Sequence, residues 1–193
     1  MTEMQPPKYP KTVQLGNADV VLRLMQQKDG EGLLAFAQAL PLHDLLFLRR
    51  DITRQAGVDA WLRDLEQGLI TTILAEERGE FVGHATVHRS DLDWSKHVAE
   101  LRVMVSGKGK GRGLGRVLIE NAFAVALALG IEKLYGRMTL DQMAARTLFE
   151  ELGFRPEGLL RDEVKDRTGK KHDVLLLSHD IATSPVASTF LAE

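Results

Sequence analysis

Three features of the 193-residue sequence predict an α/β protein built on a single mixed, mostly antiparallel sheet with helices on both faces. Strand-like and helix-like stretches interleave along the chain, the pattern of a sheet covered on both sides. Two strand candidates, Leu69–Glu76 and Phe81–His88, flank Glu77-Arg-Gly-Glu80, whose glycine and polarity mark a hairpin turn. The central stretch Val98 to Leu129, VAELRVMVSGKGKGRGLGRVLIENAFAVALAL, passes from a branched apolar strand through alternating glycine and cation into a long helical pattern. At 44% apolar residues the chain can build one substantial core, and no second one is visible.

Taken in order, residues 1–14 read as a loose lead, because MTEMQPPKYPK carries three prolines and two lysines without an apolar segment. The folded domain is expected over 15–181. Asn17-Ala-Asp19 is a turn signal before the strand candidate Val20–Met25. Lys28–Ala39 has a helical apolar side in Leu33, Leu34, Phe36 and Ala37, closed by Pro41. Pro41–Arg50, with its run of Leu45 to Leu48, fits either a short helix or the floor of a substrate cleft. Val58–Gly68 is a helix that gathers Trp61, Leu62 and Leu65 and stops on glycine. After the central strand, loop and helix come a strand at Lys133–Met138 and a helix at Gln142–Leu152. Strands at about Phe154–Leu160 and Val174–Ser178 follow, linked through Asp166-Arg-Thr-Gly169, a turn signal. Residues 182–193, small, polar and interrupted by proline, read as a loose tail.

The loop of the central stretch is the most informative segment. Gly107, Gly109, Gly111, Gly113 and Gly115 remove side chains that would keep an anion from backbone N–H groups, and they admit backbone angles closed to other residues. A helix opening at Gly113 or Leu114 adds its unpaired N-terminal N–H groups and the positive end of its dipole. Lys108, Lys110, Arg112 and Arg116 bring positive charge to the same place. A phosphate-rich ligand suits such a loop. It is not a Walker loop, since Gly107 begins no GxxxxGK run, and Leu114 stands where the dinucleotide fingerprint needs glycine.

The run Lys110-Gly-Arg-Gly113-Leu-Gly115 resembles the Arg/Gln-x-x-Gly-x-Gly/Ala pyrophosphate motif of the GNAT (Gcn5-related N-acetyltransferase) family, with lysine where arginine or glutamine is usual. The resemblance implies the GNAT fold and acetyl-CoA as cosubstrate. It implies that Lys110, Gly111, Arg112, Gly113, Leu114, Gly115 and Arg116 hold the pyrophosphate, and that Met104, Val105 and Ser106 line the pantetheine arm. By the same likeness the Met104 amide would polarise the thioester carbonyl. A second segment, QMAARTLFEELGF over residues 142–154, is similar to the family's Asn-x-x-Ala-x-x-x-Tyr-x-x-x-Gly-Phe helix and adds Gln142 and Phe149 to the expected cofactor site. Many members carry a tyrosine at the latter position to protonate the departing thiolate, and a phenyl ring has no proton to give. HVAELRV, DQMAARTLFEELGF and the acids Asp162, Asp166 and Asp173 resemble most closely the acetyltransferase domain of bacterial protein lysine acetyltransferases of the Pat type.

Acyl transfer to an amine requires that the amine first lose a proton, because a free lysine amine, with a pKa of about 10.4, is mostly cationic at neutral pH. Glu100, inside VAELRVMV, resembles the family's glutamate general base, and an acid in such a strand is hard to explain as packing. A salt bridge to Arg102, its neighbour on the same strand face, is the structural alternative. The acceptor implied is an exposed protein lysine or a small amine, and the non-enzymatic alternative is an acetyl-CoA sensor that lost its chemistry with the tyrosine. A net charge of −2 leaves no footprint for nucleic acid. The absence of cysteine excludes disulfides and thiolate chemistry and suits a cytoplasmic setting. Apolar runs fall short of the roughly 20 residues of a membrane helix. His84 and His88 would sit roughly 13 Å apart on a strand, so they are not expected to share a metal.

Overall fold

The computed structural model describes residues 7–45 and 48–183. Among the described residues eight strands form one sheet: β1 (Lys11–Leu15), β2 (Ala18–Leu24), β3 (Ile70–Glu77), β4 (Glu80–Arg89), β5 (Val98–Val105), β6 (Lys133–Thr139), β7 (Arg155–Lys165) and β8 (Lys171–Asp180). Their spatial order is β1-β2-β3-β4-β5-β6-β8-β7. Every neighbouring pair is antiparallel except β5 and β6. The helices are α1 (Gly30–Gln38), α2 (Leu42–Leu45), α3 (Gln55–Glu66), α4 (Leu114–Ala128) and α5 (Met143–Glu151). The mixed, mostly antiparallel sheet expected from the sequence is therefore the observed one.

Local chemistry explains most boundaries. The β3–β4 hairpin turns on Arg78 and Gly79, both at positive φ (53° and 81°), as a two-residue turn matching strand twist requires. The β7–β8 hairpin turns where Asp166 was expected to turn it, its carboxylate accepting from the amides of Thr168 and Lys170. Three expectations are corrected. Residues 11–14 are not a loose lead: Lys11–Leu15 pairs in register with β2, and the Tyr9 hydroxyl donates to Asn121 of α4. The turn before β2 falls at Gly16-Asn17, so Ala18 and Asp19 already belong to the strand. The helix expected from Lys28 begins as a 3-10 turn at Gln27–Asp29, where Arg23 grips Asp29 through both of its terminal nitrogens. Most of the expected tail, from residue 184, lies outside the described residues.

Two apolar layers cover the sheet. Side chains of β2–β6 and β8 pack with α4 and α5 on one face, centred on Leu118, Phe123 and Phe154. On the other face α1 and α3 bury Leu33, Phe36, Val58 and Trp61 against Ile70, Leu74 and Met104. Strand alternation therefore sends Ala99, Leu101, Val103 and Val105 toward α4, and Glu100, Arg102 and Met104 toward α1 and α3. Pairing between β5 and β6 is confined to Val98–Glu100 against Lys133–Tyr135. Past that point β6 stays with β8 while β5 stays with β4, and the sheet opens into a wedge.

Candidate active site

The wedge is the cleft. Its walls are Leu101 to Met104 of β5, Arg137, Met138 and Thr139 of β6, and Gln142, Ala145 and Phe149 at the α5 end, around a cavity of about 140 Å³. Asp44 and Leu48 close it from the α2 side. The Pro41–Arg50 stretch is thus both of the things its sequence allowed, a short helix and part of a cleft wall; Leu46 and Phe47 lie outside the described residues.

Backbone direction along β5 decides which groups face the wedge. The Ser106 amide donates to Val82 of β4 at 2.9 Å. In an antiparallel ladder the residues that point their N–H and C=O at the partner strand recur every second position. Met104 therefore also faces β4, as its carbonyl shows by lying 2.9 Å from where a Gly83 Cβ would be. Val103 and Val105 present their backbone groups to the open side. This corrects the expectation that the Met104 amide reaches the thioester: the Met104 side chain lines the cleft, while the amide belongs to the β4 ladder.

The glycine loop runs from β5 to α4. Gly109 and Lys110 donate to the Ser106 carbonyl, folding Ser106–Lys110 into a turn. Gly111 and Gly113 hold φ of 73° and 85°, and a Cβ at either would point into open space. Gly113 is the N-cap of α4. Beyond the turn, the amides of Gly111, Arg112 and Gly113 have no backbone partner among the described residues, and those of Leu114, Gly115 and Arg116 are the orphan donors of a helix start. Two other glycines serve packing instead: a Cβ on Gly109 would meet Leu114 and Val105 at 2.8 Å, and one on Gly115 would meet Leu148 at 3.0 Å. The loop is thus an anion cradle made of backbone, which fits the pyrophosphate of acetyl-CoA.

The loop cations are more committed than their sequence suggested. Arg112 donates to Glu77, Leu15 and Lys108, tying the loop to the β1–β2 and β3–β4 hairpins. Lys110 reaches Asp44 of α2 at 2.6 Å, Lys108 reaches Glu80, and Arg116 pairs with Glu151 of α5. Gln142 precedes α5, and its side-chain oxygen accepts from the Thr139 amide at 3.0 Å, bracing the turn from β6 into the helix rather than the helix's own amides. Phe149 is buried, its ring 4.6 Å from that of Phe154 and so close to β6 that a Cβ on Gly136 would fall 2.6 Å from it.

Glu100 lies where β5 and β6 part, only 1% exposed. Its Oε2 accepts from Arg49 Nε at 3.0 Å, with Nη2 of the same guanidinium at 2.9 Å. Arg102 Nη2 is 2.7 Å from Oε1 but off the hydrogen-bonding direction, so the contact is an ion pair rather than an aligned bond. The salt bridge weighed from sequence is therefore present, and a second arginine joins it.

Behind Glu100 the α1/α3 face of the sheet holds a buried polar row. Thr72 and Thr86 hydroxyls meet at 3.0 Å, Thr86 meets His84 Nδ1 at 3.3 Å, and His88 sits directly across from Glu100. Trp61 stands edge-on to both histidine rings. Burial pushes His84 down to about 4; His88, buried and facing Arg102 and Arg49, is down to about 3. Both imidazoles are thus neutral at physiological pH. A second cavity, about 330 Å³, opens here between Leu48, Arg49, Arg50, Trp61, Asp64, His88, Arg89 and Arg102. It shares Leu48 and Arg102 with the cleft. Sequence reasoning missed Arg49, Trp61 and His88 as site residues. The only signal was the unassigned RR that ends Pro41–Arg50.

No curated protein matches the chain by sequence. Among solved structures, a GNAT-family acetyltransferase from Streptococcus pneumoniae is similar with TM-score 0.71 and 23% identity, covering 83% of this chain and 98% of that one. The yncA protein of Salmonella typhimurium, solved with its cofactor acetyl-CoA, has TM-score 0.71 and 20% identity over 86% and 96% of the two chains. A ribosomal-protein-alanine N-acetyltransferase from Brucella melitensis has TM-score 0.72 and 22% identity over 82% and 98%. At these identities the likeness is one of fold. The model of the acetyltransferase (GNAT) family matches residues 32–154, which include β5, the glycine loop and α5. On that match the chain belongs to the GNAT family of acetyltransferases, enzymes that take acetyl-CoA as cosubstrate and transfer its acetyl group to an amine.

Proposed function

We propose that the protein transfers the acetyl group directly to a primary amine, with Glu100 as general base and a protein lysine side chain as acceptor. One observation carries the role of Glu100: a carboxylate 1% exposed is held where β5 and β6 part, between Arg49, which lines the second cavity, and Arg102, which lines both cavities. Bound acetyl-CoA supplies an acyl group activated as a thioester. The ammonium first gives one proton to Glu100, the neutral nitrogen then forms the C–N bond as the C–S bond breaks, its second proton goes to solvent, and CoA leaves as the thiolate. Val103, whose N–H faces the cleft it lines, is placed to donate to the thioester oxygen. The amides from Gly111 to Arg116 hold the pyrophosphate, and Val105 runs alongside the pantetheine. Phe149 packs against β6 and supplies no proton.

The lysine acceptor rests on the likeness of VAELRV and QMAARTLFEELGF to Pat-type domains. A small amine is the second reading, favoured by the walls of the second cavity, whose volume of about 330 Å³ is in the range that encloses small molecules. Glu100→Gln tests the base. The expected result is a kcat lower by roughly 10²–10⁴-fold with acetyl-CoA affinity little changed, as when a positioned proton acceptor is removed. A variant that keeps more than half the parental rate would assign Glu100 to structure alone.

A further inference from the structure

We propose that Arg49 selects the acceptor: it binds a carboxylate carried close to the reacting amine, and in doing so it uncovers Glu100. The inference rests on the reading of Glu100 as base and names the substrate class of that site. In the structure Oε2 of Glu100 is occupied by two nitrogens of Arg49. An amine cannot give a proton to that oxygen until the guanidinium moves. Arg49 is free to do so sterically, since its side chain is 53% exposed while Glu100 is 1% exposed; the arginine is the cover over the acid.

Moving a guanidinium off a buried carboxylate is costly unless another anion takes it up, because either charge left alone is penalised. A carboxylate on the acceptor provides that partner. It matches the planar fork of arginine, while the ammonium it accompanies takes the place of the guanidinium beside Glu100. The result is an exchange of ion pairs in which no charge is stranded. The cavity on the outer side of Arg49 has the charge for it. Arg49, Arg50, Arg89 and Arg102 line it with the acids Asp64 and Asp91, and Asp64 is already held by Arg50 at 2.6 and 3.0 Å. His88, 8% exposed and with Nε2 lacking a partner among the described residues, adds a neutral polar atom to the same wall. Two sources offer this chemistry, a free amino acid and a lysine beside an acidic residue in a peptide.

The test pairs acceptors that differ only in the carboxylate, with acetyl-CoA saturating: free L-amino acids against their carboxamides, and short peptides with lysine beside Asp against the same peptides with Asn. The proposal expects the carboxylate member to be favoured in kcat/KM by at least about tenfold, mostly through KM, in one of the two arms, which then names the source. Arg49→Ala should bring that ratio close to one, and Arg49→Lys, which keeps the charge without the fork, should restore part of it. Titration calorimetry of the preferred acceptor into the CoA-saturated protein supplies a readout that needs no turnover, and it should show the same loss in Arg49→Ala. Equal use of both members in both arms, or a ratio unchanged in Arg49→Ala, overturns the proposal. So does failure of every carboxylate acceptor to bind the CoA-loaded wild type more tightly than its neutral partner. A failure of the base reading looks different: Glu100→Gln keeps its rate whatever the carboxylate ratio.

Discussion

At residue scale, Phe149 is the side chain on which sequence and structure bear most directly. The position is one where many relatives would offer a hydroxyl, yet the ring sits over Gly136 and beside Phe154, a packing role. Chemistry does not need the hydroxyl much, because a thiol with a pKa near 8.5 can depart as its thiolate without a proton delivered in the same step. Phe149→Tyr is therefore expected to keep acetyl-CoA affinity and to change kcat by less than about tenfold, measured as CoA release with one amine acceptor. A rise of a hundredfold or more would show that the parent lacks a proton donor it needs. Glu100 was legible in sequence as an acid on an apolar strand facing Arg102, and the structure buries it there in contact with that arginine. Arg49 was not, because nothing in a run of leucines followed by two arginines says which carboxylate a guanidinium will meet 51 residues later.

At the scale of the element, the glycine loop divides its glycines between two physical duties. Gly109 and Gly115 let side chains close over the loop, whereas Gly111 and Gly113 take left-handed angles and leave the surface above them clear. A Cβ at Gly113 would cost on the order of 1–2 kcal/mol in backbone strain alone and would project into the open space proposed for the pyrophosphate. Gly113→Ala should thus fold, melt slightly below the parent, and lose most of the rise in Tm that acetyl-CoA gives by mass action. The check is a thermal melt of both proteins across an acetyl-CoA series; an undiminished shift in the variant would remove the pyrophosphate from this helix start.

Across the whole molecule, the polar row under α1 and α3 couples stability to pH. His84 and His88 are neutral in the fold down to about pH 4 and 3, whereas in the unfolded chain they titrate near 6.5. Between those values the unfolded state binds more protons, so stability is greatest above about pH 6.5 and falls as pH drops toward 4 and below. At about 1.4 kcal/mol per pH unit for each imidazole, the loss is on the order of a few kcal/mol. Chemical denaturation at pH 7 and pH 5 should show it, and His84→Asn should flatten the slope by roughly half. An equal slope in that variant would mean that His84 is protonated in the fold.

The sequence by itself determined the local events: strand and helix periods, the Arg78-Gly79 and Asp166–Gly169 turns, the glycine run that makes a helix start into an anion cradle, and the acid on β5. These follow from neighbours a few residues apart, whose angles and side-chain faces are set by short-range sterics. Only the tertiary structure decided that Lys11–Leu15 would join the sheet edge, because an edge strand is made by the partner that binds it. It also decided that β5 and β6 would part after three paired residues and that Val103, not Met104, would turn its amide to the cleft. Backbone direction depends on which strand lies alongside, and residue type does not encode that choice. The same holds for charge: Lys110, Arg112 and Arg49 look alike in sequence, and long-range packing alone assigns them to Asp44, Glu77 and Glu100.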